Sequence, residues 1–152
     1  MTACPRCGVR LRGADGYVDP RTITRRFTAR PCGHGLDEQQ IVAVRREGLP
    51  VEIPRLDGST LIAAERDRQP AEEGFTAEHD ARHAGNELAW AAWSFLDRAA
   101  SGHDPNDPEP PQMFPWDKSW WKPGRSPLRL LIIAGALVAA EIDRRLAAGE
   151  KP

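Results

Sequence analysis

Three cysteines and a histidine near the start of the chain have the types and spacing that bind metal. Cys4 and Cys7 bracket Pro5-Arg6 and precede Gly8, and Cys32 and His34 bracket Gly33. A Cys-Pro-x-Cys-Gly turn aims two thiolates at one point, and a second pair brought there completes a tetrahedral Cys3His set. The cysteine count of three is odd, which argues against a pure disulfide framework. Zinc held by four protein ligands keeps no open position for water, so the zinc expected at Cys4, Cys7, Cys32 and His34 is structural, supplying folding energy that so small a module lacks. A second set of chemically capable residues lies further on: His79, Asp80, His83 and Glu87, with Glu141 near the end. Imidazoles and carboxylates are ligand and acid/base groups.

The middle set must be positioned by the stretch Gly74 to Leu96, which reads as one amphipathic helix beginning at Thr76, with Glu78 and Asp80 at its positive end. At 100° per residue, His79, Asp80, His83 and Glu87 fall within an arc of about 100°, and Leu88, Trp90, Trp93, Phe95 and Leu96 occupy most of the rest. Such a stripe is a solvated face, continued by Asp97 and Arg98, or else the lining of a polar cavity. His79-Asp80-Ala81-Arg82-His83 also resembles the HExxH zinc-peptidase motif with Asp in place of Glu. The shorter acid and the lack of a third ligand at a familiar spacing argue against a peptidase. Residues eight apart on a straight helix are roughly 12 Å apart, so His79 and Glu87 cannot share one ion.

The remaining elements follow from pattern and punctuation. Gly16 to Val18 and Thr22 to Thr28 flank Asp19-Pro20-Arg21 as two strands joined by a turn, a layout similar to a zinc ribbon. Asp37 and Gln40 suggest a capping box on a short helix that ends at Gly48. Leu49 to Asp57 should be extended and mark the module boundary, and Ser59 or Thr60 should cap a helix stopped by Pro70 and Gly74. Residues 99–127 hold seven of the fourteen prolines. The first part, 101–111, is polar enough for a mobile loop, whereas Phe114, Trp116, Trp120 and Trp121 should fold back on the helices. These rings could instead stack bases with Lys122 on a phosphate, although packing is the simpler reading. Leu128 to Leu146 is the last helix, apolar on most sides, and places Glu141 on its buried face. A carboxylate there needs a partner, either Arg145 one turn on, or His79, His83 or a shared metal ion.

The predicted fold class is therefore mainly α: a small zinc-ribbon-like β module with a short helix (1–48), an extended linker (49–58), and a compact three- to four-helix domain (59–147) with a Pro-rich loop (100–127). At 152 residues and a net charge of −1, the chain is not a generally basic nucleic-acid binder. Residues 1–36 nevertheless hold seven arginines against two aspartates, and Arg21, Arg25, Arg26 and Arg30 could face a nucleic-acid backbone. With only Tyr17 and Phe27 interleaved, a solvated ribbon surface with partly paired arginines is favoured. The apolar run Leu130 to Ala140 is eleven residues long, against about twenty needed to cross a bilayer, and a cytoplasmic location is expected.

Glu73-Gly74-Phe75-Thr76 with Glu78-His79-Asp80, His83 and Glu87-Leu88, then Phe114-Pro115-Trp116-Asp117 and Trp120-Trp121-Lys122-Pro123, then Ala134-Gly135-Ala136-Leu137 and Ala140-Glu141-Ile142-Asp143-Arg144, resemble a group of small proteins common in bacteriophages and prophages. The resemblance covers residues 61–146 and departs at Phe75 and Phe114, where the group has Trp. It implies a phage or mobile-element accessory protein in a bacterial host cytoplasm. A more distant likeness is to all-α nucleotide pyrophosphohydrolases of the MazG kind, which implies Mg or Mn held by acids on packed helices. Asp80, His83, Glu87 and Glu141 would then be ligands or base and Lys122 would steady phosphate, although the paired ExxE and ExxD motifs of that family are missing. The leading expectation is a binding module for a protein partner or a small anionic or nucleotide ligand. Metal-dependent dNTP hydrolysis and nucleic-acid binding through the ribbon arginines are the alternatives.

Overall fold

A computed structural model describes residues 2–151, and the chain divides between Leu61 and Ile62 into two compact units. In the first, β1 (Gly13–Asp19), β2 (Thr24–Arg30) and β3 (Gly35–Leu36) form an antiparallel sheet in that order. The β1–β2 turn closes where Asp19 Oδ1 accepts from the Arg21 backbone N–H at 2.9 Å, as an Asp-Pro turn requires. Helix α1 (Glu38–Arg46) starts at the expected capping box, with Asp37 and Gln40 satisfying each other's backbone N–H groups. Cys4, Leu11, Ala29 and Val44 are the small core of this unit.

The extended segment after α1 is more than a tether. Ala14 donates to the Pro50 carbonyl and accepts from Glu52 N–H, both at 3.0 Å, so residues 50–52 run along the open edge of β1. Gly16 is required there, because a Cβ would stand 2.3 Å from the Glu52 carbonyl oxygen. The segment is bound into the first unit because an exposed strand edge has N–H and C=O groups to satisfy.

Helix α2 (Gly58–Arg68) is capped by Asp57, whose Oδ1 accepts from Thr60 N–H at 2.9 Å and from both neighbouring hydroxyls. The carboxylate thus takes the role expected of Ser59 or Thr60. Pro70 does not stop the coil at once: a π-helical turn, Gln69–Glu73, carries it on until Gly74 turns left-handed at φ 74°.

The expected single helix from Thr76 to Leu96 is interrupted. Thr76 does cap a helix, α3 (Ala77–Asp80), accepting from His79 N–H, but the helix lasts four residues. Asn86 has φ 67°, and α4 (Glu87–Ala100) starts after it on a new axis. The left-handed conformation at Asn86, preceded by Gly85, breaks the helical register, so the arc computed for His79, His83 and Glu87 does not exist as one stripe.

Helix α5 (Pro127–Ala147) begins at Ser126 and pairs with α4 in antiparallel fashion: Arg145 near its end donates to Asn86 Oδ1 at the start of α4, at 2.9 Å. Leu88, Ala91, Ala92 and Phe95 of α4 pack on Leu130, Ile133, Ala134, Leu137 and Ala140 of α5. Trp121 completes this core, stacked on Phe95 with centroids 5.0 Å apart, and Phe114 sits edge-on to both rings. The aromatic segment thus folds back as its apolar surface demands, with Trp120 left 58% exposed. The polar loop before it is held as well. Buried Arg98 lies over the Trp121 ring, pairs with Asp107 and donates to the Glu109 carbonyl. Five α-helices and a three-stranded antiparallel sheet make up the described residues. None of these helices is long and apolar enough to cross a membrane.

Candidate metal centre and ligand cavity

In the first unit Cys4 and Cys7 come from the turn before β1, and Cys32 and His34 from the turn between β2 and β3. Gly8 and Gly33 take left-handed conformations that allow both turns. The four ligand atoms lie within 4.8 Å of one another, with Cys4 Sγ 3.4 Å from His34 Nδ1. Burial alone would raise the Cys4 thiol, but the Arg6 and Cys7 backbone N–H groups and the contacts with His34 and Cys32 outweigh it and bring it down to about 6. The Cys7 thiol is moved the other way. The Val9 N–H favours its thiolate, but desolvation and the neighbouring Cys4 and Cys32 sulfurs prevail. Three sulfurs and an imidazole nitrogen converged this closely are a tetrahedral soft-donor set, so these residues fit a metal ion.

The second unit carries a partly open cavity of about 500 Å³ between α2, the π-turn, α3, the aromatic segment and α5. Its wall is a continuous train of rings. Trp120 lies 6.3 Å from Phe75, Phe75 5.0 Å from His79, His79 5.0 Å from His83, and His83 5.5 Å from Trp116. Trp116 Nε1 is buried with no hydrogen-bond partner among the described residues. His79 Nδ1 is 3.5 Å from Asp80 Oδ1, while Asp80 Oδ2 accepts from Arg66 Nη2 at 2.9 Å, which leaves His79 Nε2 as the ring nitrogen not engaged by Asp80.

Four cations, Arg68, Lys122, Arg125 and Arg129, line the cavity against three carboxylates, Glu65, Glu73 and Asp80. Most of this charge is internally matched. Glu65, 1% exposed, is gripped by Arg68 Nε and Nη2 at 2.9 and 2.8 Å and by both terminal nitrogens of Arg129 at 2.8 Å. Its burial alone would raise its pKa, yet these two guanidiniums hold it below the usual carboxylate value. Arg68 also binds Glu72 and Glu73. Lys122 Nζ donates to the Ser119 carbonyl, at 2.8 Å. Arg125 lies over the Phe95 ring at 5.8 Å and, among the described residues, has no hydrogen bond and no ion pair. Desolvation, then repulsion from Arg129, lowers its pKa against the attraction of the Glu73 and Glu65 carboxylates.

Of the residues singled out in the sequence, Asp80, His83 and Lys122 line this cavity together with His79. Glu141 does not. It is buried on α5 as expected, but Arg144 binds it through two nitrogens at 2.8 Å and Arg145 Nε at 2.7 Å, so the neighbouring arginines supply its partner and no imidazole does. Glu87 opens α4 outside the cavity, its Oε2 buried without a hydrogen-bond partner among the described residues. Among the described residues, no group of three or more ligand side chains close enough to share a metal ion lies in the second unit. In the first unit Arg25 donates to the Pro54 carbonyl, Arg26 faces Asp19 at 4.0 Å and Arg30 faces Asp15 at 3.1 Å. Arg26 and Arg30 are therefore partly neutralised by acids of their own sheet.

Glu65, Arg68, Arg125 and Arg129 escaped sequence reasoning. Arg125 follows Pro123-Gly124 in irregular chain, where no periodicity reports direction, and Glu65 sits in a helix whose apolar pattern is weak. Comparison of the chain with protein-family models, with curated proteins and with solved structures gives no match.

Proposed function

We propose that this is a ligand-binding protein whose helical unit takes a small anionic molecule bearing a planar ring, of the nucleotide class, and whose N-terminal unit is a zinc ribbon. The observation that carries the reading is Arg125: a partly buried guanidinium on an aromatic-walled cavity that forms no ion pair or hydrogen bond among the described residues. A phosphate offers the planar, two-pronged acceptor that a guanidinium matches best, and Lys122 adds a second cation on the same wall. The rings of Phe75, Trp116 and Trp120 supply faces for a base, and the unpartnered Trp116 Nε1 supplies a donor. Cys4, Cys7, Cys32 and His34 would hold zinc, which supplies closure of the β1–β2–β3 unit around a core of only a few side chains. The resemblance of residues 61–146 to small phage and prophage proteins supports a mobile-element setting for this binding.

Isothermal titration with a panel of nucleoside mono-, di- and triphosphates, and with inorganic phosphate, tests the reading. Nucleotide should bind and be recovered intact. Arg125→Ala should weaken binding by about ten- to a hundredfold, the loss of a charge-assisted hydrogen bond of about 1.5–3 kcal/mol. Binding that Arg125→Ala leaves unchanged, or no binding by any member of the panel, contradicts it.

A further inference from the structure

Two of the cations lining the cavity form no ion pair among the described residues. Arg68 spends Nε and Nη2 on Glu65, Nη1 on Glu72 and Nη2 again on Glu73, and Arg129 gives both terminal nitrogens to Glu65. Arg125, by contrast, lies over the Phe95 ring, and Lys122 gives a hydrogen bond to the neutral Ser119 carbonyl. A phosphate monoester carries about −1.5 to −2 charges near neutral pH, which these two cations match. Each further phosphate of a di- or triphosphate adds a negative charge, and the remaining cations of the wall are already held by carboxylates.

One carboxylate opposes such a chain of phosphates. Pro70 has no N–H to bond the Arg66 carbonyl and its ring crowds that carbonyl, so the coil widens into the π-turn, where Gly74 N–H bonds the Gln69 carbonyl five residues back. In this wider turn Arg68 Nη2 reaches Glu73 Oε1, five residues on, at 2.7 Å, while Nη1 reaches Glu72, four residues on, at 3.3 Å. Glu73 lines the cavity and Glu72 does not. Glu73 also attracts Arg125 more strongly than Glu65 does. On the reading that this cavity is a nucleotide site, we infer that it takes a nucleoside carrying one phosphate in preference to a di- or triphosphate, and that Glu73 enforces the choice. Its carboxylate repels a phosphate chain anchored on Arg125. Glu65, enclosed by two guanidiniums, and Asp80, bound to Arg66, present less charge to the ligand.

Isothermal titration of the full-length chain with the mono-, di- and triphosphates of the four common ribonucleosides, without added magnesium, tests this. For any base that binds, the monophosphate should bind about tenfold more tightly than the triphosphate, with the diphosphate between. Glu73→Gln keeps an acceptor for Arg68 and removes the charge, so it should strengthen triphosphate binding about three- to fivefold more than monophosphate binding. Glu72→Gln neutralises a similarly exposed carboxylate on the same arginine, outside the cavity, and should leave the preference where it is. Triphosphate binding as tight as monophosphate binding overturns the inference while the nucleotide reading stands. So does a preference that Glu73→Gln leaves unchanged, or that Glu72→Gln shifts equally. Binding by no nucleotide of the panel overturns the nucleotide reading and this inference with it.

Discussion

Glu65 and Arg125 show opposite solutions to placing charge beside a cavity. Glu65 is removed from water but surrounded by two guanidiniums, whereas Arg125 keeps contact with the cavity and forms no ion pair among the described residues. For Glu65 the consequence is stability. Its folded-state pKa is depressed below the ordinary value of 4.5, so its contribution is fully present above that value and is lost as pH falls through the lower folded value. Glu65→Gln should therefore cost about 3 kcal/mol near neutral pH, since it leaves two buried guanidiniums short of a partner. The difference between variant and wild type in urea titrations should shrink on acidification below the carboxylate range. A difference independent of pH would show that Glu65 is not ionised in the fold.

At the level of the element, the decisive event is the break between α3 and α4. Asn86 stands left-handed at φ 67°, and its side chain also accepts from Arg145. Asn86→Gly keeps the backbone conformation and loses only that bond, whereas Asn86→Ala loses both. The alanine variant should be less stable than the glycine variant by about 1 kcal/mol in thermal melts, and equal stabilities would mean the turn is not strained. The same residue marks where sequence reasoning stopped working. Thr76 and the Asp37–Gln40 box were legible as helix starts because capping depends on groups one turn apart. The long apolar pattern from Leu88 onward gave α4 its apolar character for the same local reason. Ala84-Gly85-Asn86 is compatible with a continuing helix, and only packing decides against it. The Cys3His set was readable as a motif and a polar cavity beside His79, Asp80 and His83 as one of two readings, but the cavity's arginines were not, since they converge from α2, the irregular chain before α5 and α5 itself. The fate of Glu141 was readable only as a choice of partners.

For the molecule as a whole, the two units should respond separately to loss of metal. All five tryptophans lie in residues 62–152, and the single tyrosine, Tyr17, lies on β1. On the proposal that Cys4, Cys7, Cys32 and His34 hold zinc, a chelator strong enough to strip it should melt the first unit, since these four residues would tie its turns to a core of few side chains. Tryptophan emission and α-helical circular dichroism from the second unit should persist. Simultaneous loss of both signals would show that the helical unit depends on the metal-bound one.

The most direct measurement is a crystal structure of the chain grown with a nucleoside monophosphate. Phosphate within hydrogen-bond distance of the Arg125 guanidinium, with the base against Phe75, Trp116 or Trp120, is the predicted result. A nucleotide bound elsewhere with the cavity empty, or a cavity occupied by a wholly apolar molecule that leaves Arg125 uncontacted, would contradict the account.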